Sequence, residues 1–123
     1  MASTRGGSCV VAPATGDIAL ARFPFSDLSQ SRLRPALVLA ESGRGDWVLC
    51  QITSNPYSDP DAVEISINDV SAGSLQRTSY ARPGKLFTAN TNLMVSVSGA
   101  LNYEILRSVV ERVVSLMSTG LHE

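Results

Sequence analysis

Alternating and continuous runs of apolar residues predict a chain built mainly of short β-strands. The segment Ile18–Phe23 reads as a strand, and Pro24 then removes a backbone donor, which ends a strand or confines it to a sheet edge. Ala36–Ala40 is a continuous apolar run, which is typical of a strand buried on both faces. We therefore expect Ala36–Ala40 to be the central strand of a sheet.

Turn residues join this central strand to a second one. The segment Ser42–Asp46 contains two glycines, and glycine accepts the positive φ that tight turns require, so a hairpin is predicted here. Trp47–Thr53 is then the return strand. Its alternation predicts one face made of Val48, Cys50 and Ile52, and an opposite face made of Trp47, Leu49, Gln51 and Thr53.

Further β-structure and one helix are predicted towards the C-terminus. Apolar and polar residues alternate from Val63 to Ile67, which predicts a half-exposed strand. A strand pair is predicted through Thr78–Arg82 and Leu86–Thr88, joined or bent at Pro83–Gly84. The period then changes to about 3.6, which predicts an amphipathic helix that begins near Asn102 and stops at Gly120. Its predicted apolar stripe holds Ile105, Val109, Val113 and Leu116 or Met117.

This order of elements predicts a mainly β protein with a C-terminal α-helix, folded as a small, strongly bent sheet or partly open barrel. The length of 123 residues fits one domain, which we expect over residues 15–120, after a flexible N-terminal arm over residues 1–14. No apolar run approaches the roughly 20 residues of a membrane span, and none forms a signal-peptide core. We expect a cytoplasmic protein that does not span a membrane.

The residue inventory excludes several kinds of enzyme. His122 is the sole histidine and lies next to the C-terminus, which argues against Ser-His-Asp and Cys-His catalysis and against a two-histidine ribonuclease. Cys9 and Cys50 lack metal-site or redox spacing, so no metal and no cofactor are expected. The net charge is -1, yet nine of the ten cationic residues are arginine, whose planar fork suits phosphate contacts.

Five motifs in order carry a family resemblance. They are Gly16-Asp17-Ile18, the segment Phe23–Leu28, the segment Leu33–Leu39, Gln51-Ile52-Thr53-Ser54, and the segment Ser79–Thr88. Together they resemble the MazF/PemK family of type II toxin–antitoxin endoribonucleases, over roughly residues 15 to 118. The resemblance implies a homodimeric, SH3-like barrel that cleaves single-stranded RNA without a metal ion and is held inactive by a cognate antitoxin protein.

The resemblance also implies two catalytic residues. The family's catalytic arginine lies in an R-P-A/V motif, which here is Arg34, and its catalytic threonine closes the strand that here ends at Thr53. Pro35 restricts Arg34 to extended backbone, which anchors the guanidinium just before the central strand. In the implied reaction a ribose 2′-hydroxyl attacks the adjacent phosphate and leaves 2′,3′-cyclic phosphate and 5′-hydroxyl ends. Arg34 would stabilise the negative phosphoryl oxygens, and Thr53 would donate its hydroxyl or orient the attacking group.

Substrate contacts are expected around this pair. Phe25 could stack on an unpaired base, and the cationic residues of the group could bind phosphates. The expected contact residues are Phe25, Ser29, Gln30, Arg32, Ser54, Arg82 and Lys85. Ser29 stands where many family members carry a glutamate, whereas Gln30 matches the glutamine that follows it.

A second interpretation remains open from the sequence. The same fold could serve a non-catalytic binding protein, such as a CcdB-like gyrase poison or a degenerate PemK-like protein. The missing glutamate at Ser29 and the sequence pI of about 5.8 favour this alternative. The presence of both Arg34 and Thr53 favours the endoribonuclease.

Overall fold

The computed structural model describes residues 12–23, 32–73 and 75–121, which form an antiparallel sheet and a C-terminal helix. Residues 1–11 of the predicted N-terminal arm lie outside the described residues. The strands are β1 (Asp17–Phe23), β2 (Arg32–Gly43), β3 (Asp46–Thr53), β4 (Val63–Ile65), β5 (Val70–Gly73), β6 (Ser79–Asn90) and β7 (Met94–Leu101). Short 3-10 helices span Ile67–Asp69 and Thr91–Leu93, and helix α1 spans Tyr103–Thr119.

Strand β2 lies in the middle of the sheet, as its apolar run predicts. The strand order is β4-β6-β3-β2-β1-β7-β5, and every neighbouring pair is antiparallel. Leu37 and Leu39 of β2 pack in one core, whereas Ala36 and Val38 pack in another on the opposite face. The predicted burial of β2 on both faces is confirmed, and the bent, partly open barrel with one terminal helix is confirmed with it.

The two cores differ in the size of their side chains. The first lies under α1, where Val109 of the helix is fully buried against residues such as Ile18, Leu37 and Ile65. The second is built largely of small residues and is flanked by Trp47 and Phe87. Three polar residues continue the face of their strands that carries this second core. Arg34 stands two residues before Ala36 on β2, and Gln51 and Thr53 stand two and four residues after Leu49 on β3.

The hairpin between β2 and β3 is confirmed. Its turn lies at Arg44 and Gly45, and both residues have positive φ, 58° and 81°. Gly43 precedes them with φ 114°, a conformation that glycine adopts without the steric cost of a Cβ. The short turn therefore fixes the register in which β3 returns along β2.

Three sequence predictions need correction or refinement. The predicted strand pair is one continuous strand, β6, bent where it carries more residues than β3, between Ala81 and Leu86. The strand predicted to reach Ile67 ends at Ile65, because Ser66 donates from N and Oγ to Asp69 Oδ2, at 2.8 and 3.1 Å, and starts a 3-10 turn instead. Strands β5 and β7 are not predicted, although Val95-Ser96-Val97-Ser98 of β7 alternates between apolar and polar residues.

The helix begins after Asn102 and ends at Thr119, as predicted. Among the described residues, no helix is long and apolar enough to cross a membrane. Ile105, Val109 and Val113 contact the first core. The predicted extension of this stripe is wrong, because the core does not continue past Val113 and both Leu116 and Met117 are exposed.

Candidate active site

A cavity of about 560 Å³ opens where β2 begins and β3 ends. Its volume falls within the roughly 300–1,000 Å³ of typical small-molecule sites. Residues from five strands and two loops line it: Leu20, Arg34, Pro35, Gln51, Ile52, Thr53, Ser54, Tyr57, Leu75, Gln76, Arg77, Ser79 and Ser98. The predicted pair Arg34 and Thr53 is therefore brought to one cavity, together with Ser54.

The strand register explains why Arg34 and Thr53 meet. Ala36 of β2 pairs with Gln51 of β3, and Arg34 and Thr53 each lie two residues beyond this pair, at the same end of the antiparallel ladder. Arg34 itself pairs with Ala21 of β1. This pairing gives the Arg34 side chain a strand backbone as its base.

Local hydrogen bonds orient the Thr53 hydroxyl. Its Oγ1 accepts from the backbone N of Asn55 at 3.2 Å, and Asn55 Oδ1 in turn accepts from the backbone N of Tyr57 at 2.9 Å. These two hydrogen bonds hold the backbone of the loop that follows β3. Because the Thr53 oxygen already accepts a bond, its O–H is available to donate to a ligand.

Arg82 and Lys85 stand apart from the cavity. Arg82 Nε donates to Asp59 Oδ2 at 3.0 Å, and its guanidinium lies 5.3 Å from the centre of the Tyr57 ring. Arg82 thus braces the loop that carries Tyr57, rather than lining the cavity itself. Lys85 is exposed and does not line the cavity either. Phe25, Ser29 and Gln30, and the side chain of Arg32, lie outside the described residues.

The loop after β3 depends on the ionised form of Asp59. The backbone N–H of Asp61, which donates to Oδ1 at 2.9 Å, and then the Arg82 guanidinium lower the pKa of Asp59 below its ordinary value of 3.8. A lowered folded-state pKa adds stability above the unfolded-state pKa, and that stability is lost as the pH falls through the folded-state value.

We therefore expect the melting temperature of Asp59→Asn to fall less than that of the wild type when the pH drops from 5 to 3. Glu111→Gln is the matched control, because its ion pair with Arg107 is more than 60% exposed and should contribute little. Thermal melts at both pH values make the comparison. Equal pH dependence in Asp59→Asn and the wild type would remove Asp59 from the acid response.

The cavity is locally cationic although the chain carries a net charge of -1. Arg34 and Arg77 line it, and none of the described residues that line it is acidic. Within the described ranges, no group of three or more His, Cys, Asp and Glu side chains could hold a metal ion. The arrangement thus offers hydrogen-bond donors and positive charge to an anionic ligand.

Cys50 lies one residue before Gln51 but is no candidate nucleophile. Burial raises the pKa of its thiol to about 12, and Sγ donates to the backbone oxygen of Arg82 at 3.1 Å. The thiolate is the reactive form of cysteine, so this thiol is inert at neutral pH. Cys50 instead packs as a small buried side chain in the first core.

Comparison with known proteins identifies the family. Residues 14–117 match the PemK-like, MazF-like toxins of type II toxin–antitoxin systems. The chain belongs to this family. The match agrees with the span of the resemblance seen in the sequence motifs. Among curated protein sequences, no significant match is found.

Solved structures confirm the MazF fold. A MazE–MazF complex from Deinococcus radiodurans is similar with a TM-score of 0.68 and 20% identity, over 86% of this chain and 96% of that one. A mycobacterial endoribonuclease in complex with its cognate antitoxin gives 0.66 and 14%, over 87% and 94%. The Mycobacterium tuberculosis toxin MazF-mt6 gives 0.64 and 16%, over 83% and 96%.

Most residues that line the cavity were not predicted as site residues, and three of them, Gln51, Tyr57 and Arg77, carry side chains suited to ligand contacts. Gln51 stands two residues before Thr53 on the same face, so the alternation of β3 could have indicated it. Tyr57 and Arg77 lie in irregular segments, where no periodicity signals which way a side chain points. Arg77 supplies the second cation of the cavity, and Tyr57 supplies its aromatic wall.

Proposed function

We propose that this protein is the toxin of a type II toxin–antitoxin system and a metal-independent endoribonuclease that cleaves single-stranded RNA at short sequences. One observation carries the proposal. Arg34 and Thr53 lie on neighbouring strands, at the end where β2 begins and β3 ends, and both line one cavity that also holds Arg77. The family supports the same activity, because MazF-like toxins are generally endoribonucleases.

The proposed reaction transfers a phosphoryl group within the RNA, from the 5′-oxygen of one nucleotide to the ribose 2′-oxygen of the preceding one. The ribose 2′-oxygen forms a bond to the adjacent phosphorus as it loses its proton, and the bond from phosphorus to the 5′-oxygen breaks as that oxygen gains one. The products are a 2′,3′-cyclic phosphate and a 5′-hydroxyl. Negative charge grows on the phosphoryl oxygens, where the Arg34 guanidinium and the Thr53 O–H donate. A guanidinium group donates hydrogen bonds and accepts none, so Arg34 is assigned electrostatic stabilisation rather than proton transfer.

The proposal includes a cognate antitoxin, a homodimer and a cytoplasmic location. Two of the similar solved structures are toxin–antitoxin complexes, which supports the antitoxin partner. Helix α1 and the turn that follows it leave apolar side chains exposed at Val114, Met117 and Leu121, with exposed fractions of 56%, 59% and 82%. An exposed apolar stripe of this kind is typical of an interaction surface, which supports association with a second copy.

Cleavage is expected to survive EDTA and to leave 5′-hydroxyl ends. Both expectations follow from the donor set, which offers arginine and threonine rather than clustered metal ligands. The test incubates the purified protein with a long single-stranded RNA in EDTA, and then labels the products with polynucleotide kinase without prior phosphatase treatment.

Two outcomes would contradict the proposed chemistry. One is loss of cleavage in EDTA with rescue by magnesium or zinc, and the other is labelling that requires phosphatase. RNA binding without cleavage would favour the non-catalytic protein of the same fold instead.

A further inference from the structure

The amide of Gln51 is an unexplained polar group in the cavity wall. Its Oε1 is buried and has no hydrogen-bond partner, and it is the one buried side-chain oxygen or nitrogen in this condition within the described residues. An unpartnered buried acceptor destabilises the folded state, so such groups are rare in folded proteins. Gln51 stands on the face of β3 that also carries Thr53, and both line the cavity.

Tyr57 forms the aromatic wall of the same cavity. Tyr57 is 62% exposed. Its backbone N donates to Asn55 Oδ1, and the Arg82 guanidinium lies 5.3 Å from the centre of its ring. Its backbone has φ 56°, a left-handed conformation that is uncommon for an aromatic residue. The loop thus presents a large aromatic surface to solvent at the cavity.

We propose that Gln51 and Tyr57 form a nucleobase subsite beside the scissile phosphate, in which Gln51 Oε1 favours bases with an N–H donor at the edge position that faces it and disfavours bases with an acceptor there. The inference deepens the proposed function and rests on it. In this arrangement Tyr57 stacks on the base and Gln51 Oε1 accepts from the base edge.

The chemistry of the lining separates two parts of the ligand. Arg34, Arg77 and the Thr53 O–H are donors, which suit the oxygens of a phosphate. Gln51 Oε1 is an acceptor, and a phosphodiester has no proton to give it. The edges of nucleobases carry amino and ring N–H groups that do. A bound base therefore gives a hydrogen-bond partner to Gln51 Oε1, the one buried side-chain acceptor without a partner among the described residues.

Gln51→Met tests the hydrogen bond at nearly constant side-chain shape. A pool of RNAs randomised around the cut is cleaved under single-turnover conditions and sequenced. We expect base preference at one position next to the cut to weaken about tenfold or more in Gln51→Met, as for loss of one specific base contact. The melting temperature should stay equal or rise, because the variant removes a buried unpaired acceptor.

Tyr57→Leu tests the stacking surface. Loss of one base–aromatic stack typically costs about 1–3 kcal/mol, which corresponds to roughly 5- to 150-fold weaker RNA binding. Tyr103→Leu is the matched control, since Tyr103 is 71% exposed on α1 and does not line the cavity. Its binding should equal that of the wild type.

Binding of an RNA with a 2′-deoxyribose at the cleaved nucleotide keeps this test separate from cleavage. Without the 2′-hydroxyl the RNA cannot be cut, so fluorescence anisotropy reports base selectivity alone. A wild type that binds but never cleaves would contradict the nuclease, whereas loss of selectivity in Gln51→Met would still support the subsite. Unchanged base preference in Gln51→Met, or a wild type that binds no RNA, would overturn the subsite. A lower melting temperature with unchanged preference would make Gln51 a structural residue.

Discussion

Replacing Arg34 by alanine is expected to slow RNA cleavage by about 10²- to 10³-fold, the usual loss when one preorganised donor to a charged transition state is removed. Thr53→Ala should also slow the reaction, because the Thr53 O–H is the second donor on the opposite strand. Arg34 is exposed at the start of β2, so its truncation should change the free energy of unfolding by only about 0.5 kcal/mol. Single-turnover cleavage rates beside thermal melts give both quantities.

Arg34→Lys sharpens this prediction. Lysine keeps the charge but loses the planar fork, so it should recover little activity if contact with two phosphoryl oxygens matters. Arg107→Ala is the matched control, because Arg107 is an exposed arginine on α1 that pairs only with Glu111 at 2.9 Å among the described residues. Full activity in Arg34→Ala with an unchanged melt would remove Arg34 from the mechanism. If the cleavage rate of Arg34→Ala decreases only in proportion to its loss of folded protein, Arg34 has a structural role.

The largest expected effect on stability is at Leu37. This side chain is fully buried in the first core, on the central strand of the sheet. Leu37→Ala should lower the free energy of unfolding by about 2–5 kcal/mol, through lost apolar burial and the cavity left behind.

Leu33→Ala on the same strand is the control, because Leu33 is 44% exposed and its truncation should cost far less. Urea unfolding of both variants makes the comparison. Similar losses at the two positions would contradict the assignment of the core to the middle of β2.

The centre of the fold could be predicted because its local signals agree with its tertiary contacts. The apolar run Ala36–Ala40 indicates burial on both faces, and the glycines at positions 43 and 45 supply the positive φ of the hairpin. The helix is equally local, since its period and its end at Gly120 are read within one segment. These elements needed no knowledge of what lies opposite them.

The elements that were missed depend on their partners. Strand β7 was missed although Val95-Ser96-Val97-Ser98 alternates: both valines are exposed, and the strand is defined by its pairing with β1, which contains two register shifts. Strand β6 runs through Pro83 and Gly84, residues that normally end strands, because a bulge against β3 absorbs them. Leu116 and Met117 continue the helical stripe, but the core beneath them ends at Val113.

The candidate site was predictable only in part for the same reason. Arg34 and Thr53 could be named from motifs, and the register of β2 against β3 then explains how they meet. The role proposed for Gln51 rests on the burial of its Oε1 without a hydrogen-bond partner, which only the tertiary structure shows. Arg82 was expected at a phosphate, but its ion pair with Asp59 depends on a loop conformation that the sequence pattern does not indicate.

Mapping of RNA 5′ ends in EDTA, with wild-type protein and Arg34→Ala purified in the same way, tests the central claim most directly. The variant serves as a control for contaminating nucleases, provided that its thermal melt matches the wild type. We predict 5′-hydroxyl ends at a short recurring sequence with the wild type, and their loss with Arg34→Ala. The same ends at the same rate from both proteins would contradict the assignment of RNA cleavage to this cavity.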